Sequence, residues 1–242
     1  MTDNENKLEL AGHLTELRRR LIYCLLSIAA SFCVAYYFSA ELYELLTEPL
    51  RPAFPGSDKF LAFTAVTEPF FTYLKVGVVG GILLAAPVII YQCWAFVSPG
   101  LYAGEKRWFL PSVFFSTILF TLGVIFCYTL VLPFALKYLL GYSGPELRPV
   151  LSMGLYFALT TKLLFAFGVA FQLPLVVLIL SLVGVVGGRQ LAGWWKYALI
   201  CSVFFGAFLT PPDVVSQLLL AGPLMVLYFL GVLLALIFGK KK

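Results

Sequence analysis

Apolar and polar positions along the chain fall into long blocks rather than a mixed pattern. Runs rich in Leu, Val, Ile and Phe cover about residues 21–38, 70–96, 109–132, 153–180, 193–209 and 214–238, separated by short polar or Pro/Gly-bearing segments. A run of about 20 apolar residues is what an α-helix needs to cross a bilayer, so six transmembrane helices are expected. The fifth and sixth spans are expected to be short, and the fifth run, at roughly 17 residues, lies near the lower limit for crossing. The turn Thr210-Pro211-Pro212-Asp213 is so tight that the last two runs must be antiparallel neighbours, and Asp213 is placed to cap the final helix.

Before the first run the pattern changes period. Leu10, Leu14, Leu17 and Leu21 share one face at three- and four-residue spacing, while Glu9, His13, Glu16 and Arg20 share an adjacent polar flank. Residues 7–20 are therefore expected to form an amphipathic interfacial lead-in running into the first span. Between the first two runs, residues 39–67 form an acidic segment outside the membrane, helical at first and stopped by the turn chemistry of Pro49 to Gly56. Gly77, Gly80, Gly81 and Pro87 fall inside the second run, where such residues are tolerated if a neighbouring helix packs closely. The third run is expected to end near Pro133.

Composition supports a membrane class. The chain is 61% hydrophobic and 12% charged, whereas soluble domains carry about 45–50% and about 25%. Its 242 residues leave no room for an added soluble domain. The first 20 residues are polar and charged, so no cleaved signal peptide is expected and insertion begins with the first span. The net charge of +5 resides in clusters beside the apolar runs, which topology and anionic headgroups explain without nucleic acid.

Lysine and arginine also give an orientation. With the N-terminus inside, Lys7, Arg18, Arg19, Arg20, Lys106, Arg107, Arg189, Lys196 and Lys240 to Lys242 make eleven inner cations. Arg51, Lys59, Lys137 and Arg148 make four outer ones. The imbalance predicts both termini in the cytoplasm and places Glu16 and Glu105 on that same side. Cys24, Cys33, Cys93, Cys127 and Cys201 are scattered singly and His13 is the sole histidine, so neither a disulfide framework, a metal centre nor a cofactor is expected.

His13-Leu14-Thr15-Glu16-Leu17-Arg18-Arg19-Arg20-Leu21 resembles the HLxELRxRL signature of the TatC family, the core membrane component of the twin-arginine protein translocase. Further similar motifs follow in order: 86–96 (APVIIYQCWAF), 99–102 (PGLY), 105–107 (EKR), 166–171 (AFGVAF) and 209–217 (LTPPDVVSQ). The resemblance spans about residues 10–220. It implies a non-enzymatic subunit of the bacterial inner membrane with six helices and both termini inside. Such a subunit recognises twin-arginine signal peptides on folded cargo and assembles with TatA-type and TatB-type single-span partners. Homo-oligomers in a complex driven by the proton-motive force are implied as well. By resemblance Glu105 is the primary signal-peptide contact and Glu16 the second, with Arg18, Arg107 and Phe96 nearby. The chemistry agrees, because a guanidinium fork pairs with a carboxylate bidentately.

Each residue has a plainer reading. Glu16 can pair with Arg20 at i,i+4, Glu105 with Lys106 or Arg107, the arginines can be topology anchors and Phe96 interfacial packing. Gln172 departs from the family pattern, which usually has glutamate there; an amide can still hydrogen-bond a partner helix or a neighbouring span but cannot titrate. Gln172, Asp213, Gln217 and Pro49 are the candidate partner-subunit or intramembrane polar positions, and Glu68 matches the outer-loop pattern. Lys162 is expected to snorkel or face a wet cavity. An ion-coupled transporter, which calls for paired ionisable groups near the midplane and often inverted repeats, is the alternative of a different class. An intramembrane protease is disfavoured because the only histidine precedes the first span.

Overall fold

The computed structural model describes residues 2–53, 61–63, 65–97, 109–141, 150–209 and 214–239. Among these the chain is helical, and its one ladder contact is an isolated parallel bridge between Ala62 and Ser152. Helix α1 (Thr2–Tyr37) runs without a break from the lead-in through the first span. Next come α2 (Ser39–Thr47) and a 3-10 segment, Glu48–Ala53. The long α3 (Glu68–Val97) carries Pro87 inside it. Then follow α4 (Phe109–Phe126), a π turn (Cys127–Val131) and α5 (Leu132–Leu140). The chain continues through α6 (Met153–Ala170), α7 (Leu173–Val183) and the short α8 (Gly188–Gly193). It ends with α9 (Trp195–Leu209) and α10 (Val214–Phe238).

Among the described residues, five stretches are long and apolar enough to cross a membrane: Gly12–Tyr37, Glu68–Phe96, Phe109–Leu140, Met153–Val183 and Leu220–Phe238. Trp195–Leu209 is a sixth, shorter apolar helix. Its 15 residues rise only about 22 Å at 1.5 Å per residue.

The third span does not stop at Pro133. The missing N–H of a proline is tolerated in the first turn of a helix, and Pro133 occupies that turn of α5. The π turn before it has Leu132 donating to the Cys127 carbonyl, five residues back. Lys137, expected in an outer loop, consequently lies in the last turn of α5.

Two compact units divide the chain, residues 1–43 with 73–117 and residues 44–72 with 118–242. In the first, α1 and α3 form an antiparallel pair. Glycines on α3 let the helix backbones approach: a Cβ at Gly81 would lie 2.8 Å from the Phe32 Cα, and one at Gly77 would lie 3.0 Å from the Tyr36 ring. Small residues at a helix contact are the general device for close packing in lipid, where burial of apolar surface supplies no driving force.

In the second unit α4 and α6 interlock. A Cβ at Gly123 would lie 2.6 Å from the Phe167 carbonyl oxygen, while one at Gly168 would meet the Phe120 ring at 2.7 Å. Phe126 packs its ring against Phe167 and Phe171. The 3-10 segment, with Pro49 buried in it, packs on α5. The end of α2 leaves carbonyls without helical donors. Two tyrosines supply them: Tyr128 donates to Leu45 at 2.7 Å and Tyr156 to Leu46 at 2.5 Å.

Helix α10 packs on both α7 and α9. Val177, Leu191, Val232 and Ala235 form a buried cluster there, and Tyr228 donates to the Leu191 carbonyl at 2.6 Å.

Glu68 is part of this framework. Its Oε1 accepts from the Ser152 hydroxyl and the Gly154 N–H, both at 2.6 Å. A carboxylate there satisfies an orphan donor at the N-terminus of α6, where its negative charge is also favoured. Backbone bonds fix the same junction, from Ala62 N–H to the Leu151 carbonyl (3.0 Å) and from Met153 N–H to the Ala62 carbonyl (2.9 Å).

Candidate functional site

The polar flank of α1 meets the end of α3. The i,i+4 spacing places Glu16 beside Arg20, whose Nε and Nη2 donate to Glu16 Oε1 at 3.0 and 2.5 Å. Arg20 Nη1 reaches Gln92 Oε1 on α3 at 3.2 Å. One turn beyond Gln92, Phe96 stacks on His13 with ring centroids 4.3 Å apart and planes inclined by 26°. His13 with Phe96 and Arg20 with Gln92 are thus successive contacts of one antiparallel pair. Glu16 lies between His13 and Arg20 on the same flank. Its side chain remains 34% exposed, so the carboxylate is reachable from outside.

Start of α4 and end of α3 are also tied together. Trp94 Nε1 donates to the Ser116 hydroxyl at 2.7 Å, and the Tyr91 and Phe109 rings meet edge-on at 5.8 Å. The stretch containing Glu105 and Arg107 connects these helix ends; both residues lie outside the described residues, as does Asp213. Arg18 is exposed. Arg19 turns to its own helix, donating to the Tyr23 hydroxyl at 3.1 Å.

The structure therefore brings Glu16 and Phe96 to neighbouring positions and adds Gln92 and His13, to which the sequence assigned no contact. Spacing alone offered a clue, since Gln92 and Phe96 share a face of the second span at i,i+4. The register that sets them against α1 is a tertiary property.

The remaining candidates occupy other places. Gln172 joins α6 to α7, its carbonyl accepting from Leu175 and Val176 at 3.1 and 3.0 Å. Its neighbours Ala170 and Leu173 line an apolar groove of about 390 Å³, shared with Cys201, Phe205, Leu224 and Tyr228. Gln217 clasps α10 to α9 by donating from Nε2 to the Val203 carbonyl at 3.3 Å. Pro49 is buried against α5. Lys162 is exposed and lies against the end of α9. Its ammonium donates to the Phe208 carbonyl and lies 4.7 Å from the Phe208 ring centroid. A cation is favourable there, at the negative end of α9.

Comparison with known proteins gives concordant relatives. Residues 12–223 match the family model described as Sec-independent protein translocase protein (TatC). The Sec-independent protein translocase protein TatC of Desulforapulum autotrophicum is 41% identical over 242 residues, covering 100% of this chain and 89% of the relative. That of Aquifex aeolicus is 40% identical over 235 residues, covering 96% and 97%. A crystal structure of the twin-arginine translocase receptor TatC superposes with a TM-score of 0.81 at 39% identity, covering 93% of this chain and 98% of that one.

Proposed function

Because the chain belongs to the TatC family of Sec-independent protein translocase proteins, we propose that it is the subunit that captures twin-arginine signal peptides at Glu105 and Glu16. As a multi-pass membrane component of a translocase it carries no catalytic chemistry. In this reading both termini and both carboxylates face the cytoplasm of a bacterium, with the protein in the inner membrane, consistent with the excess of inner lysine and arginine. The observation that carries the reading is the α1–α3 pair, which presents a partly exposed Glu16 next to Phe96, nine positions before Glu105. Two carboxylates offer two forks for adjacent guanidinium groups. Phe96 receives apolar residues that follow the arginines, and Arg18 and Arg107 line the approach.

Capture then nucleates assembly with TatA-type and TatB-type single-span subunits and further copies of this chain, and folded cargo is exported at the expense of the proton-motive force. The energy source and the partners are carried over from the family; Gln172, an amide, does not itself exchange protons. The partner-facing positions are assigned to Gln172 and the groove beside it, to Asp213 and Gln217 near the α9–α10 turn, and to Pro49. Cys201 lines that groove and is exposed, which makes it a reporter. Disulfide crosslinks should form between Cys201 and a cysteine placed in the span of a TatB-type partner. Absence of crosslinks across a full scan of that span would remove the groove from the assignment.

The capture reading is tested by photocrosslinking a labelled signal peptide to the assembled complex. A twin-arginine peptide should crosslink strongly and its twin-lysine version at least tenfold less. A lysine ammonium is a point charge and cannot make the planar two-bond pair. Equal crosslinking of the two peptides would refute recognition through carboxylate forks.

A further inference from the structure

The carboxylate assigned to the ligand already holds a guanidinium. Arg20 directs Nε and Nη2 to a single oxygen of Glu16, Oε1, and Nη1 to Gln92. No other arginine of α1 is held this way, since Arg19 is drawn to Tyr23 and Arg18 is exposed. We propose that Arg20 is an internal stand-in for the signal peptide, occupying Glu16 in the resting protein and displaced when a ligand arginine binds. This rests on the reading of Glu16 as a signal-peptide contact.

Geometry gives the reason for displacement. A fork-on-fork pair uses both carboxylate oxygens in one plane. With two Arg20 donors on Oε1, an incoming guanidinium can reach only Oε2 unless Arg20 withdraws. Gln92 gives Arg20 a place to go, because the Nη1 bond to its amide oxygen survives release of Glu16. The pair is also weak enough to exchange. Its two side chains are 22% and 34% exposed, and partly exposed i,i+4 ion pairs are among the less stable ones. Arg20 thus acts as a competitor in cis, setting a threshold that only a ligand with an equally good fork and additional contacts overcomes.

Competition fixes the sign of the effect, which a supporting role for Arg20 would reverse. In the full complex, Arg20→Gln should bind a twin-arginine signal peptide roughly two- to fivefold more tightly than wild type. Arg20→Lys, which keeps the charge but loses the fork, should fall between the two. Arg19→Gln removes the same charge one position away and measures the general electrostatic gain, which Arg20→Gln must exceed. In a Glu16→Gln background the extra gain from Arg20→Gln should vanish. Peptide affinity by fluorescence anisotropy in nanodiscs reads every variant beside wild type. Binding by Arg20→Gln that is weaker than wild type, or no tighter than by Arg19→Gln, overturns the proposal. Unchanged binding by Glu16→Gln alone overturns the underlying assignment of Glu16 instead, and this proposal with it.

Discussion

Replacing Glu105 by alanine is expected to weaken capture of a twin-arginine peptide by about 10- to 100-fold. That range corresponds to losing one charge-assisted pair worth about 1.5–3 kcal/mol. Glu16→Ala should cost less, about fivefold, because in the wild type part of its attraction is already spent on Arg20. The double variant should lose capture nearly completely: in the proposed site the two carboxylates serve adjacent arginines of one ligand, so their effects add or exceed addition. Affinity titration of all three variants beside wild type is the measurement. A Glu105→Ala protein with wild-type affinity would detach the 98–108 segment from recognition.

The second large effect concerns packing. Gly123→Ala should destabilise the protein by about 1–3 kcal/mol, the usual range for overpacking a tight interior. The added methyl would lie 2.6 Å from the Phe167 carbonyl oxygen and 2.9 Å from the Phe171 side chain. A backbone oxygen in mid-helix cannot rotate away, so α4 and α6 must separate. Gly12→Ala, inside α1, is the control. A Cβ there meets nothing within 4 Å, and alanine is the better helix former by about 1 kcal/mol. Thermal unfolding in detergent should therefore move down for the first and stay level or rise for the second. A Gly123→Ala protein as stable as wild type would mean that the α4–α6 approach is looser than these distances require.

Much of this architecture was legible because membrane spans are written in composition. A window of apolar residues locates a helix whether or not its neighbours are known. Punctuation was harder. Pro133 reads as a stop, yet the same residue type is at home in the first turn of a helix, and the π turn before it leaves no mark in hydropathy. The break at Phe171 and Gln172, where α6 gives way to α7, is marked by Gln172 and Pro174, yet the apolar run continues through it, so hydropathy alone reads one span. In the site, Glu16 with Arg20 could be read from i,i+4 spacing alone. Gln92 and His13 could not, because their partners lie 72 positions and 83 positions away and meet only through the register of α1 on α3. The partner of Lys162 is hidden in the sequence for a related reason. The Phe208 carbonyl that receives it belongs to a helix end 46 residues later.

The brevity of α9 has a mechanical consequence for the surrounding lipid. Tyr197, Ile200, Phe204 and Phe208 point outward along it, each more than 60% exposed. A helix of about 22 Å cannot match hydrocarbon about 30 Å thick. Lipid tails beside it must shorten or tilt, at a fraction of a kcal/mol per Å of mismatch. With α9 as a crossing helix, a thinner bilayer is expected on this flank. Acyl-chain length then becomes a control variable for anything that assembles there, independent of the charged residues of the chain.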